Sequence, residues 1–176
     1  MDLPNEIWYK TFSFLPQRSQ AIFSNIWNLH NFSVEEIELL RISNNLWFDT
    51  ARKGYIKLMK FLIKEGTDIH IKNKNGHTAL HVSSWYGHKD CAELLIKAGA
   101  VVNIQTNSGF TPLHNASMRG HKDCVDLLIK AGVGVNIQDE GGRTALNEAR
   151  MYGHKEIVEL LIEAGGFMMN IPNNYG

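Results

Sequence analysis

Apolar residues recur along this chain in short blocks at a fixed spacing. Leu94-Leu95-Ile96, Leu127-Leu128-Ile129 and Leu160-Leu161-Ile162 each lie in a stretch whose periodicity predicts an amphipathic helix. Phe61-Leu62-Ile63 holds the matching place upstream. Glycines punctuate these blocks: Gly54, Gly87, Gly120 and Gly153 recur every 33 residues, and so do Gly66, Gly99, Gly132 and Gly165. Two series locked to one period predict an array of stacked units, over residues 42–74, 75–107, 108–140 and 141–176, the last including a short tail. Each unit alone has too little core, so neighbours must stack to bury a continuous apolar layer.

Within a unit the polar positions predict where helices begin and end. Thr78, Thr111 and Thr144 suit N-caps, because a threonine oxygen accepts from a free amide of the first turn. Pro112 follows at the first helical position, where its missing N–H costs nothing, and Ala79 and Ala145 replace it with strong helix formers. The first helix should stop at Gly87, Gly120 and Gly153, and the second at Gly99, Gly132 and Gly165. Histidines 88, 121 and 154 follow the glycine turn and are expected to cap the second helix. Stretches such as Val101-Val102-Asn103-Ile104 are short and β-rich, so they predict extended hairpins between units. The first unit lacks the Thr-Ala-Leu-His start and has Asn45-Leu46-Trp47-Phe48 instead, as expected where a stack meets something other than a repeat.

These motifs resemble the ankyrin repeat, with its Thr-Pro-Leu-His start, Gly-His turn, leucine helix and Asn-bearing ending. The resemblance implies an all-α solenoid of helix-turn-helix units joined by β-hairpin loops. It also implies that His81 and His114 hydrogen-bond the preceding threonine and neighbouring loops. In such stacks the hairpin tips and first helices line a concave groove. Carried over, that places Arg52, Lys53, His77, Trp85, Tyr86, Phe110, Met118, Arg119, Arg143, Met151 and Tyr152 towards a partner protein. Rings, methionines and arginines at solvent-facing places are residues that often dominate binding energy. With Arg52, Lys53, Lys74, Arg119 and Arg143 tilting the groove positive, a segment with acidic and apolar residues is the expected complement. Asn103 and Asn136 each follow a leucine eight residues earlier, a setting in which ankyrin asparagines can be hydroxylated by an intracellular oxygenase, although a hairpin hydrogen bond is the favoured explanation of both residues.

Residues 1–32 do not follow the period. Ile7, Trp8, Thr11, Phe12 and Leu15 form one helical stripe, and residues 21–29 a second apolar helix. Leu3-Pro4, Glu6-Ile7, Phe12-Ser13-Phe14-Leu15 and Trp27 resemble an F-box, the small helical module by which adaptors dock on Skp1 in SCF-type ubiquitin ligases. That resemblance assigns Leu3, Pro4, Ile7, Trp8, Phe12, Leu15 and Trp27 to the contact with a Skp1-like protein. The other reading is a plain helical cap on the first repeat. Residues 33–41 start at a Ser-x-x-Glu capping box and predict a connecting helix without Gly, Ser or Pro runs. An F-box ahead of ankyrin repeats in so short a chain is similar to host-directed proteins of intracellular bacteria or large DNA viruses.

Bulk properties narrow the function further. The 176 residues carry 18 basic and 18 acidic side chains, so nothing in the net charge drives binding to nucleic acid or a membrane surface. No apolar run approaches the roughly 18 residues that would span a bilayer. Asp2, Glu6 and Lys10 interrupt any signal-peptide core, and an intracellular, cytoplasmic setting is expected. Cys91 and Cys124 fall at matching places in consecutive units, where packed helices lie about 8–10 Å apart. That exceeds the roughly 7 Å reach of a disulfide, so reduced core thiols are expected. His88 with Cys91 and His121 with Cys124 have metal-like spacing, but the repeat pattern explains them without metal. No nucleophile–base pair, phosphate loop or carboxylate pair stands apart from the repeat, so no catalytic residue, metal or cofactor is expected.

Overall fold

A computed structural model describes residues 45–167. The F-box-like positions Leu3, Pro4, Ile7, Trp8, Phe12, Leu15 and Trp27, the connecting segment 33–41 and the tail beyond Phe167 lie outside the described residues. Among the described residues eight helices follow one another: α1 Leu46–Lys53, α2 Ile56–Lys64, α3 Ala79–Tyr86, α4 Lys89–Lys97, α5 Pro112–Arg119, α6 Lys122–Lys130, α7 Ala145–Met151 and α8 Lys155–Glu163. They form four antiparallel pairs. The first helices α1, α3, α5 and α7 pack side by side in one layer, and α2, α4, α6 and α8 in a second.

The starts of the first helices are built by their own sequence. Thr78, Thr111 and Thr144 are extended, with φ near −95°, and each enters a reciprocal capping box with the residue three places on. The partners are His81, His114 and Asn147. Thr78 N–H donates to His81 Nδ1 at 3.1 Å, so that nitrogen must be unprotonated. The ring's Nε2–H then donates to the Phe110 carbonyl at 3.0 Å, which reaches the next unit. His114 repeats the arrangement with Thr111 and the Arg143 carbonyl at 3.0 Å. Asn147 makes the same local cap with Thr144 in the fourth unit.

Two expectations are corrected here. Histidines 88, 121 and 154 occupy the N-cap positions of α4, α6 and α8 but make no side-chain cap to their own helices. The turn after each glycine aims the ring back at the preceding unit instead. Their Nε2–H groups donate to the carbonyls of Arg52 (2.8 Å), Trp85 (2.9 Å) and Met118 (3.1 Å). The rings lie so close that a Cβ on Gly54 or Gly87 would meet them at 2.5 Å, and both glycines have φ above +70°. Glycine is therefore required twice over, by handedness and by space. The linkers, in turn, contain no strand among the described residues. Each tip closes with two backbone bonds, such as Thr106 N–H to the Phe110 carbonyl at 2.9 Å and Gly109 N–H to the Thr106 carbonyl at 3.0 Å, and reaches the next tip with one more, Asn107 N–H to the Asn75 carbonyl at 3.1 Å. One bond per neighbour makes turns, and a ladder needs several.

The core runs between the two layers. Leu58, Leu80, Leu95, Leu113, Leu128, Leu146 and Leu161 are buried, with alanines between them that let the helices approach. Cys91 and Cys124 lie in the same layer as free thiols. Burial pushes both up to about 11, so they are protonated and unreactive at neutral pH. No described helix is long and apolar enough to cross a membrane.

Candidate partner-binding groove

The tips and the C-terminal ends of the first helices form two parallel rims. Between them, across the second and third units, lies an open cleft of about 580 Å³. His77, Trp85, Tyr86, Phe110 and Met118, all expected at the groove, line it together. Arg52, Lys53, Arg119, Arg143, Met151 and Tyr152 do not line it. Arg52 and Lys53 are exposed at the end of α1, and Arg52 is ion-paired with Asp49. Met151 (57% exposed) and Tyr152 (55%) stand at the end of α7.

The rings are held in place by charge and by other rings. The Arg119 guanidinium lies 5.0 Å from the centre of the Trp85 ring, and Arg143 lies 5.8 Å from Phe110. Phe110 meets His114 edge-on at 5.7 Å, and Tyr86 stacks on His88. Arg143 was expected as a groove cation, but its charge is consumed locally. It bonds Asp139 at 2.9 Å and contacts the buried Glu148 carboxylate at 3.1 Å. Burial raises the Glu148 carboxyl above its ordinary range, and Arg143 only partly opposes this.

Asn73, Val82, Thr106 and Asn115 also line the cleft, although the sequence pattern singled out none of them. A signal existed: Asp49, Val82, Asn115 and Glu148 share one repeat position yet differ in chemistry, while the position after it stays small in every unit (Thr50, Ser83, Ala116, Ala149). Several lining amides serve the framework. Asn73 Oδ1 accepts from the amides of Asn75 and His77, Asn107 donates to the Lys74 carbonyl at 3.1 Å, and Asn115 donates to the His81 carbonyl at 3.2 Å. The asparagines considered for hydroxylation are also engaged across units. Asn103 Oδ1 accepts from Gly134 N–H at 2.8 Å, and Asn136 bonds both the Gly165 carbonyl and Phe167 N–H at 3.0 Å.

Among the described residues no group of three or more His, Cys, Asp or Glu side chains is placed to hold a metal ion. His88 spends its Nε2 on the Arg52 carbonyl, while burial keeps the Cys91 thiol protonated.

Comparison with known proteins agrees with this architecture. A family model for ankyrin repeats in three copies matches residues 47–139, and a model of the single ankyrin repeat matches residues 141–174. The Notch-regulated ankyrin repeat-containing proteins of Xenopus tropicalis and Homo sapiens are each 43% identical over 37 residues, which is 21% of this chain and 32% of theirs. The Danio rerio protein A of that name is 43% identical over 37 residues, covering 33% of its own length. The chain thus spans about a third of the length of the curated relatives it matches. With helix pairs, Thr–His caps and tips matching over more than half its length, the chain belongs to the ankyrin repeat family.

Proposed function

We propose that this chain is a non-enzymatic interaction adaptor in which the ankyrin groove holds a target protein while residues 1–32 dock on a Skp1-like subunit of an SCF-type ubiquitin ligase. Ankyrin repeats point to protein–protein interaction. The observation that carries the groove half is the cleft between Trp85, Phe110 and Met118, whose rings and thioether the stack itself does not need. Support for the ligase half comes from Leu3-Pro4, Phe12 to Leu15 and Trp27 alone. Buried reduced thiols fit an intracellular, cytoplasmic setting.

The second reading is a scaffold or competitive inhibitor without a ligase link, in which residues 1–32 only cover the first repeat. Trp47 and Phe48 in α1 are buried, which is what such a cover would produce. One experiment separates the two. Purified chain is mixed with Skp1 and run by size exclusion, then the run is repeated with Leu3→Ala/Pro4→Ala. A complex lost in the variant supports the ligase adaptor, whereas no complex with the native chain removes it. The groove half is tested separately by affinity capture with and without Trp85→Ala/Tyr86→Ala. Identical captured proteins would place the binding surface elsewhere.

A further inference from the structure

The two rims of the groove differ in charge. The last two residues of α1, α3, α5 and α7 include Arg52, Lys53, Arg119 and Arg150 and not one carboxylate. On the tip side, Glu140 is an exposed acid, Lys74 an exposed base, and Asp139 is closed off by Arg143. A ligand carboxylate is therefore favoured at the helix-end rim and repelled near Glu140.

Along that rim, Arg119 is the cation best prepared to receive it. Arg52 pairs with Asp49, and Arg143 is saturated by Asp139 and Glu148. Arg119 is exposed, lies on the Trp85 ring and has no carboxylate partner among the described residues. Its stacking partner is itself anchored, because the Trp85 carbonyl accepts from His121 Nε2–H at 2.9 Å. A guanidinium held over a ring retains N–H donors for a planar carboxylate and has less freedom left to lose. Trp85, Phe110 and Met118 line the cleft together.

We propose that this cleft selects an extended peptide segment with a bulky apolar side chain followed two residues later by Asp or Glu. The apolar side chain sits between Trp85, Phe110 and Met118, and the carboxylate pairs with Arg119. The proposal rests on the reading of the cleft as the partner site. The spacing follows from geometry: residues i and i+2 of an extended chain point to one side about 7 Å apart. That distance carries a chain from the Trp85–Phe110 wall to a guanidinium 5.0 Å from the Trp85 ring.

The test uses two capped peptides, Gly-Ser-Leu-Ser-Asp-Ser-Gly and its Asp-to-Asn counterpart, titrated into the isotope-labelled full chain while the Trp85 indole N–H resonance is followed. At low salt the Asp peptide is expected to bind about fivefold or more tightly than the Asn peptide. The difference should collapse in about 0.5 M salt and disappear in Arg119→Ala. It should survive only partly in Arg119→Lys, which keeps the charge but loses the planar fork of donors. Arg119→Glu should prefer a peptide with Lys in place of Asp. Equal affinity for both peptides in the native chain would overturn the charge selection and leave the cleft reading standing. If neither peptide moved the Trp85 resonance, both would be overturned.

Discussion

His121 Nε2–H donates to the Trp85 carbonyl at 2.9 Å, so the side chain that fastens the third unit to the second also fixes the main chain under the groove's tryptophan. Stacking and the placement of Trp85 are thus coupled at one bond. His121→Ala is expected to lower stability by about 1–2 kcal/mol, the cost of leaving a part-buried carbonyl without its donor. Urea denaturation should show a lower midpoint at unchanged slope, and Trp85 should become more mobile by side-chain relaxation. A variant with the native midpoint would show that the bond contributes nothing.

Acid should loosen the stack through His81. Burial lowers its pKa to about 4, and His114 is shifted in the same direction for the same reason. In the folded chain the ring is neutral because Nδ1 accepts from the Thr78 amide. The unfolded chain takes up that proton near the ordinary value of 6.5, so stability falls as the pH drops from about 6.5 to about 4 and levels off below. For His81 alone the full loss is about 3 kcal/mol. His81→Asn, which copies the cap that Asn147 makes in the fourth unit, should start less stable at pH 7 but show a flatter profile. Stability curves against pH for both chains check this directly.

Glu148 works in the opposite sense. Its carboxyl is buried, and burial raises its pKa. Asn115, at the same repeat position one unit earlier, serves with a neutral amide that donates to the His81 carbonyl. Glu148→Gln removes a buried charge while Arg143 keeps Asp139, so a gain of about 1 kcal/mol is expected at pH 7–8. Since the native carboxyl protonates more readily folded than unfolded, the gain should shrink as the pH falls towards the usual carboxylate range. A loss of stability at pH 8 would mean that the contact with Arg143 outweighs desolvation.

Position 117 has to be small. Ala51, Ser84 and Ser117 share one place on the first helix and have no exposed surface, because the next unit lies against them. The fourth unit has Arg150 there, and it is exposed. Ser117→Arg would bury a guanidinium between α5 and α7, at a cost of several kcal/mol. The fourth unit should then melt separately, giving two transitions by circular dichroism in place of one. Arg150→Ser, by contrast, should change stability by less than about 0.5 kcal/mol.

What the chain's sequence determined alone is the set of features that neighbours in the chain can enforce. The 33-residue period, the threonine starts and the left-handed glycine turns each depend on contacts within a few residues, and local propensity decides them. The same holds for the leucine stripe, whose burial follows from periodicity. The tertiary structure decided everything whose partner lies a repeat away. Histidines 88, 121 and 154 turned from caps into links between units because their acceptors are 36 residues upstream. Arg143 changed from a groove cation into the partner of Asp139 and Glu148, and Asn115 joined the cleft wall. Stacking brings the histidines to their acceptors and Asn115 to the His81 carbonyl, whereas Asp139 and Glu148 lie four and five residues from Arg143 and meet it through the fold of the tip and the start of α7.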